Sequence, residues 1–240
     1  MTLGYRGTHY AGWATQPGGA TVQDCVESAL ASALGHPVRV TAAGRTDAGV
    51  HAEGQVVSFE TSSTIPATGL QRVLPRHLPD DVWVDNVADA AASFDARRSA
   101  RRRWYRYAIW RHGVPTPRWH ERAHVLTEPL DVSAMRTASG ALLGTQDFVS
   151  LATAGAEGAS TTRTVFAADW LEISPSLLVF EICADAFLKH MVRAIVGSLL
   201  WVGAGRWSPL HVTQALTDKD RRAAGPNAPA LGLTLDHIEY

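Results

Sequence analysis

The amino-acid sequence predicts an α+β protein in which strands and helices follow one another along both halves of the chain. Residues 22–34 repeat apolar side chains at helical spacing. Residues 82–87 (VWVDNV) instead alternate apolar and polar side chains, as a half-buried strand does. Residues 187–206 are apolar nearly all round and predict a buried central helix. With 240 residues, 46% of them hydrophobic, the chain can bury the core of one large or two small domains.

The first helix has clear boundaries in the sequence. Thr21 precedes it and Asp24 stands three residues later, which is a variant of the capping box. Gly35 follows the last apolar residue, as a helix-terminating glycine does. A shorter helix is predicted over residues 66–74. The first half therefore contains two helices between its strands.

Two β-like runs flank a segment that is rich in glycine and polar residues. Residues 38–41 (VRVT) and 55–59 (QVVSF) have the β-branched residues and the alternation that are typical of strands. Residues 42–52 lie between them and contain glycine at positions 44 and 49. This segment is therefore predicted as a loop that joins two strands.

The composition changes abruptly near residue 95, and we place a domain boundary there. The predicted N-terminal domain comprises residues 1–95, and the predicted C-terminal domain comprises residues 96–240. The stretch that follows the boundary is rich in arginine and aromatic residues. Within it, Tyr105 and Tyr107 alternate with Arg106, which predicts a strand with one basic face.

The second half also alternates strands and helices. Asp131 or Ser133 can cap a helix that runs to Leu143 and ends at Gly144. The further predicted elements are, in chain order, a mobile surface loop over residues 152–160, strands over 165–173 and 177–184 joined by a Ser-Pro-Ser turn, the buried helix from residue 187, a helix over 209–217 and a strand over 233–238.

Charge and composition exclude several classes of protein. Lysine plus arginine (22) nearly balance aspartate plus glutamate (23), so a nucleic-acid partner has to be recognised by a local cluster. Two cysteines, Cys25 and Cys183, are too few for a disulfide framework and are not spaced as a zinc knuckle. The sequence has no apolar signal-peptide core and no run of about 18 uncharged apolar residues. We therefore expect a soluble cytoplasmic protein with no membrane partner.

The segment over residues 44–51 (GRTDAGVH) places a guanidinium, a hydroxyl, a carboxylate and an imidazole close together. Glycine-flanked loops of this kind often carry function. The alternative is structural, with Asp47 bonding its own backbone in an Asx-turn and Arg45 solvated. The segment lacks the Lys-Ser/Thr of a phosphate-binding loop and has no further ligand at metal spacing, so no metal is expected. His51 and His190 are candidate acid/base groups by residue type alone.

The arginine-rich stretch after the boundary predicts a contact with RNA. Arginine pairs with phosphate, and the interleaved tryptophan and tyrosine rings can stack on unpaired bases. The alternative is a solvated strand face with a buried aromatic side. On the buried helix, Arg193 needs an acidic partner such as Asp47 unless its head reaches solvent. The arginines of the stretch are Arg97, Arg98, Arg101, Arg102, Arg103, Arg106 and Arg111.

Four segments together resemble the tRNA pseudouridine synthase A family. They are GTHYAGWATQP at residues 7–17, GRTDAGVHA at 44–52, SARRRWYRY at 99–107 and DAFLKHMVRAIVGSLLWVGAG at 185–205. The segments occur in the order of the family, and the similarity extends over nearly the whole chain. The second and fourth segments are highly specific in combination.

The resemblance implies the pseudouridine synthase fold. In that fold, two similarly folded α+β subdomains share a mostly antiparallel sheet flanked by helices, with a central active-site cleft. The resemblance also implies an isomerase that converts uridine to pseudouridine at positions 38, 39 and 40 in the anticodon stem-loop of tRNAs. It further implies a homodimer that works without a cofactor.

Matched residue by residue, the resemblance implies that Asp47 is the nucleophile, Tyr105 lies against the uracil ring and Arg193 is the basic partner of the aspartate. It also implies that Arg45 helps to extrude the target base. An aspartate suits this chemistry because its side chain is ionised at neutral pH and can attack without a separate base. Two alternatives are a non-catalytic RNA-binding module and a carboxylate-dependent hydrolase, which usually needs a second acid or a metal cluster.

Overall fold

The computed structural model describes residues 1–153 and 160–240. These residues form two compact units. The first unit comprises Met1–Arg103 together with Thr234–Tyr240, and the second comprises Trp104–Leu233.

Strands and helices alternate in both units, which confirms the predicted α+β class. The surface loop predicted over residues 152–160 falls mainly on residues 154–159, which lie outside the described residues. None of the helices described is long and apolar enough to cross a membrane. The strands are β1 (Thr2–Tyr5), β2 (Thr41–Ala42), β3 (His51–Ser58), β4 (Val82–Asn86), β5 (Arg102–Trp110), β6 (His124–Val125), β7 (Gly144–Asp147), β8 (Thr162–Ser174), β9 (Leu177–Ala184) and β10 (Leu233–Glu239), and the α-helices are α1 (Val22–Leu34), α2 (Ala67–Val73), α3 (Val132–Gly140), α4 (Met191–Gly203) and α5 (Leu210–Asp218).

The sheet of the first unit has the strand order β4, β1, β3 and β10. β1 runs antiparallel to both β3 and β4. β10 runs parallel to β3, with Thr234 opposite His51. The short strand β2 is antiparallel to β3, so residues 43–50 form the loop of a hairpin. We call this segment the Asp47 loop.

Helix α1 begins and ends as predicted. The Thr21 side chain accepts a hydrogen bond from the Asp24 N–H, and Gly35 closes the last turn with φ 79°. The next two strands differ from the prediction. A strand is predicted over residues 38–41, whereas β2 comprises only Thr41–Ala42, and β3 begins at His51, earlier than the predicted start at residue 55. The first residues of β3 gain a partner in β10, and local alternation does not reveal that partner.

Within the second unit, the strands are hydrogen-bonded in the order β5, β9, β8 and β7, and β6 runs parallel to β5. β8 and β9 form the predicted antiparallel hairpin around Pro175. Helix α3 is capped by Asp131 and ends at Gly140. It stops before the predicted end at Gly144 because Gly144 already begins β7. Helix α4 is the predicted buried helix, since ten of its 13 residues are buried.

The chain leaves the first unit later than its composition predicts. The predicted boundary follows residue 95, whereas residues 96–103 stay in the first unit and Thr234–Tyr240 return to it. One hydrogen bond that holds this segment runs from the Arg101 N–H to the Glu239 carbonyl, at 2.8 Å. Composition gives residue types but not hydrogen bonds between distant residues. A boundary based on composition is therefore placed where the arginines begin.

Candidate active site

The Asp47 loop is attached to the sheet at its first two residues. The side-chain amide of Gln55, on β3, donates to the Gly44 carbonyl at 2.7 Å and accepts from the Gly44 N–H at 3.3 Å. The Ala43 N–H donates to the Val56 carbonyl at 2.8 Å. Because Gln55 is fully buried, its hydrogen bonds are shielded from water and fix the start of the loop.

Thr46 anchors the middle of the loop. Its side chain is buried, and its hydroxyl lies 2.8 Å from the hydroxyl of Tyr5 on β1. Its main-chain carbonyl accepts from the Trp13 N–H at 3.0 Å. Burial raises the pKa of Tyr5 to about 12. The phenol therefore keeps its proton at neutral pH and stays available as a hydrogen-bond donor.

The N-terminal segment packs so closely on the loop that two positions need glycine. Gly12 has φ 104°, and a Cβ there would lie 2.8 Å from the Thr46 carbonyl oxygen. A Cβ at Gly7 would overlap the Val50 carbonyl oxygen. Side chains at either position would push the loop away from the segment that supports it.

Asp47 lies at the turn of the loop. The loop folds back through main-chain hydrogen bonds, from the Val50 N–H to the Asp47 carbonyl at 3.1 Å and from the Gly49 N–H to the Tyr10 carbonyl at 3.3 Å. Asp47 is partly exposed and Arg45 is exposed. The carboxylate is thus carried on a backbone that hydrogen bonds fix on both sides. Such a setting suits a nucleophile or a binding group.

Four arginines of the arginine-rich stretch are exposed in the first unit, namely Arg97, Arg98, Arg101 and Arg102. The Asp95 carboxylate accepts from the N–H groups of Arg97 and Arg98, at 2.9 and 2.7 Å. These hydrogen bonds, chiefly that from Arg98, hold the pKa of Asp95 below its ordinary value. Hydrogen bonds therefore hold the backbone at the start of the stretch, and its exposed arginine side chains are accessible to phosphates. The guanidinium of Arg102 also lies 3.5 Å from the Glu239 carboxylate.

Arg103 differs from these neighbours, because only 9% of it is exposed. Its guanidinium donates to the Ala43 carbonyl from Nε at 3.3 Å and from Nη2 at 3.1 Å. Arg106 belongs to the second unit and is exposed, with its Nε 2.7 Å from the carboxylate of Glu181. The arginines that composition groups together therefore have different surroundings.

Two further residues that the resemblance implies lie in the second unit. Tyr105 is buried, and its ring meets that of Phe187 edge-on, with the ring centroids 5.1 Å apart. Arg193 is half-buried on α4, where its Nε donates to the Ala228 carbonyl at 2.7 Å. Asp47 and Arg45 share one loop of the first unit, so the predicted site residues are distributed over both units.

The two candidate histidines are hydrogen-bonded inside their own units. Nδ1 of the buried His51 accepts from the Gly7 N–H at 3.1 Å, so that nitrogen carries no proton. His190 precedes α4 with φ 61°, and its Nδ1 lies 2.5 Å from the Thr153 hydroxyl. Across the part of the chain that the structure describes, no group of three or more histidine, cysteine or acidic side chains is arranged to hold a metal ion.

The sequence did not predict the buried residues that contact the Asp47 loop, namely Tyr5, Trp13 and Gln55. Gln55 stands as a polar residue in a β-like run, and this was a signal that could have identified it. Tyr5 and Trp13 carry no such signal, because their contacts with Thr46 join distant parts of the chain.

Comparison with known proteins identifies the family. A family model described as tRNA pseudouridine synthase matches residues 2–97 and 138–240, ranges that include Asp47 and Arg193, with Tyr105 between them. The tRNA pseudouridine synthase A of an Exiguobacterium species is 41% identical over 240 residues, which cover 100% of this chain and 96% of that protein. Those of Pelobacter propionicus and Moorella thermoacetica are 40% and 42% identical, and each alignment covers 100% of this chain and 98% of the relative.

Among solved structures, that of a Cbf5-Nop10-Gar1 complex aligns with 99% of this chain and 48% of that chain, at 12% identity and a TM-score of 0.41. This similarity is too low for any conclusion. The sequence matches, in contrast, extend over the full length of the chain at about two identical residues in five. The chain belongs to the tRNA pseudouridine synthase family.

Proposed function

We propose that this protein converts uridine to pseudouridine at positions 38, 39 and 40 in the anticodon stem-loop of tRNAs, with Asp47 as the nucleophile. The proposal depends above all on the placement of Asp47. Asp47 is partly exposed on its loop. The loop is held by the contact between the hydroxyl groups of Tyr5 and Thr46 and by the hydrogen bond from Gln55 to the Gly44 carbonyl. The relatives that match along this chain are named tRNA pseudouridine synthase A, which supports the conversion of uridine to pseudouridine in tRNA.

The reaction is an isomerisation. The bond between N1 of uracil and C1′ of ribose breaks, and a bond between C5 and C1′ forms. C5 then loses its proton and N1 gains one, so no oxidant, reductant or net water is consumed. An ionised carboxylate is able to start this sequence by attacking either C1′ or ring C6, and it is released unchanged at the end.

The target uridine has to leave its stack before Asp47 can reach it. Flipping a base costs a few kcal/mol, which contacts to the backbone and to the base must offset. The exposed arginines 97, 98, 101 and 102 are suited to binding the phosphates. We assign Arg45 to base extrusion, Tyr105 to contact with the uracil ring and Arg193 to charge pairing with the aspartate, as in the family pattern.

Mapping the modified position tests this proposal. The protein is incubated with a tRNA transcript that carries uridine at positions 38, 39 and 40, and pseudouridine is located by carbodiimide derivatisation and primer extension. We expect modification at these positions and none in a transcript that has cytidine there. Modification elsewhere would contradict the site. Binding without pseudouridine would favour an RNA-binding module, and release of free uracil would favour a hydrolase.

We also propose that the protein acts in the cytoplasm as a homodimer without a cofactor, on the basis of the family resemblance. Sedimentation of the purified protein with and without tRNA tests the dimer, and a fully active monomer would contradict it. Full activity after exhaustive dialysis against EDTA is expected if no metal takes part. Cell fractionation tests the location.

A further inference from the structure

Arg103 is an arginine of the arginine-rich stretch that faces the protein interior. Buried residues alternate with more exposed ones over residues 102–107 of β5, and Arg103 stands two positions before the buried Tyr105. An arginine beside an RNA-contacting segment would ordinarily serve phosphate binding. A buried guanidinium is costly unless its N–H groups find acceptors, so the acceptors that Arg103 uses indicate its role.

The acceptors include three main-chain carbonyl groups. Nε and Nη2 of Arg103 both donate to the Ala43 carbonyl, at 3.3 and 3.1 Å. Nη2 also donates to the Arg97 carbonyl at 2.8 Å, and Nη1 donates to the Ala100 carbonyl at 3.1 Å. The planar, rigid fork of the guanidinium allows one side chain to reach three carbonyls at once, whereas the ammonium of lysine is a compact point charge.

The position of Ala43 gives this contact its consequence. Ala43 is the first residue of the Asp47 loop, and the next residue, Gly44, is held by Gln55 through two hydrogen bonds. Two buried side chains, Gln55 and Arg103, therefore hold the first two residues of the loop by hydrogen bonds. A shift at this point would be transmitted along a short, closed loop to Asp47.

The other two carbonyls belong to the segment that presents the exposed arginines. Arg97 is itself exposed, and the carbonyl of Ala100 lies one residue before the exposed Arg101. The Arg103 side chain thus donates hydrogen bonds to the backbone of the segment that carries the exposed arginines and to the backbone of the Asp47 loop. Both lie in the first unit.

We propose that Arg103 is a positioning residue for the reaction. It holds the Asp47 loop in register with the exposed arginine segment, and so aligns the Asp47 carboxylate with a uridine whose phosphates that segment binds. Arg103 does this through Ala43 and not by touching RNA. The inference rests on the proposed function and adds to it a residue that couples RNA binding to alignment of the nucleophile.

Comparison of Arg103 with an exposed neighbour tests the proposal. Arg103→Lys and Arg103→Met are measured beside Arg101→Met, with Arg39→Met as a control for loss of an exposed arginine that pairs with Glu27 in the same unit. The two measurements are the dissociation constant for tRNA and the single-turnover rate constant at saturating protein. A displacement of about 1 Å can cost up to about 100-fold in rate. We therefore expect both Arg103 variants to lose at least about 10-fold in the saturated rate, with near-normal tRNA affinity.

Arg101→Met should show the opposite pattern, in which the main loss is in tRNA affinity and the smaller loss is in the saturated rate. Arg103→Lys should retain more of the rate than Arg103→Met, because lysine keeps the charge and part of the donor capacity. Weaker binding with an unchanged saturated rate in Arg103→Lys would show a phosphate contact and overturn the proposal. A rate and an affinity that are both unchanged in a folded Arg103→Lys would overturn it as well.

Hydrogen exchange separates this inference from the proposed function. In Arg103→Lys, the amides of residues 43–50 should exchange faster than in the wild type, while those of α1 should not change. If the wild type forms no pseudouridine, the proposed function fails, yet the exchange data still report whether Arg103 holds the loop. Unchanged exchange in residues 43–50 would overturn the positioning role, whatever reaction the protein performs.

Discussion

The hydroxyl oxygen of Tyr5 lies 2.8 Å from the hydroxyl oxygen of Thr46, inside the first unit and away from solvent. Tyr5 ends strand β1, and Thr46 immediately precedes Asp47 in the loop. The sheet therefore supports the loop from below at the residue next to the proposed nucleophile. A buried contact of this kind fixes the local backbone more strongly than an exposed one, because water does not compete for either group.

Alkaline conditions should weaken the fold through Tyr5. Burial raises its pKa to about 12 from an ordinary value near 10, so the folded state holds the phenolic proton more tightly than the unfolded state does. This stabilisation is complete below pH 10 and is lost as the pH rises through about 12. Within that window the loss is about 1.4 kcal/mol per pH unit for this group.

Urea unfolding at pH 8, 10 and 11 measures the effect in the wild type and in Tyr5→Phe. The variant should be less stable at pH 8 by about 1 kcal/mol, because the Thr46 hydroxyl loses its buried partner. Its free energy of unfolding should then fall less steeply above pH 10. Parallel pH curves for the two proteins would show that Tyr5 does not titrate in this way.

Substitution of Gly12 should damage the Asp47 loop more than substitution of Gly18. Both glycines have positive φ, at 104° and 78°, but a Cβ at Gly12 meets the Thr46 carbonyl whereas one at Gly18 meets nothing within 4 Å. Gly18→Ala should cost about 1 kcal/mol through backbone strain alone. Gly12→Ala should cost roughly 1–2 kcal/mol more and should also reduce turnover. Chemical unfolding and tritium release from tRNA measure both effects, and equal losses would contradict the close contact.

Removal of exposed arginines should weaken tRNA binding and its dependence on salt. The double variant Arg97→Ala/Arg98→Ala removes two exposed guanidinium groups without disturbing the buried Arg103. The slope of the logarithm of the binding constant against the logarithm of salt concentration should fall by roughly 1 for each lost phosphate contact. Filter binding at several salt concentrations gives the slope, with Arg39→Ala as the control. An unchanged slope would remove these arginines from the RNA surface.

Substitution of Arg193 should impair both turnover and stability. Its Nε donates to the Ala228 carbonyl at 2.7 Å on the largely buried helix α4. Arg193→Met should lower the free energy of unfolding by about 1–2 kcal/mol, since the carbonyl loses a charged donor. It should also reduce the single-turnover rate, and Arg193→Lys should restore part of that rate because it keeps the charge. Full activity in a folded Arg193→Met would exclude Arg193 from the reaction.

Elements that depend on neighbours along the chain are predictable from the sequence. Apolar spacing and the caps at Thr21 and Gly35 define α1, and the structure confirms both ends. The glycine-bearing stretch between two β-like runs predicts the Asp47 loop, and that loop does join β2 to β3. In these cases the controlling interactions are main-chain bonds and side-chain caps within a few residues.

Contacts between distant residues are not predictable in this way. Tyr5 and Thr46 are 41 residues apart, and Thr234 pairs with His51 across most of the chain. No local pattern encodes either contact. Arg103 is an intermediate case. The composition of the surrounding stretch groups it with exposed arginines, but its spacing of two residues from Tyr105 places it on the buried side of β5.

The most direct test of the central claim is tritium release from tRNA that carries uridine labelled with tritium at C5. Wild type, Asp47→Asn and the control Asp89→Asn, which changes an exposed aspartate, are compared in single-turnover reactions, and binding of each to the same tRNA is measured in parallel. Formation of the new bond at C5 releases the label. We predict release by wild type and Asp89→Asn and none by Asp47→Asn, which should still bind tRNA. Release by Asp47→Asn at the wild-type rate would show that Asp47 is not the nucleophile.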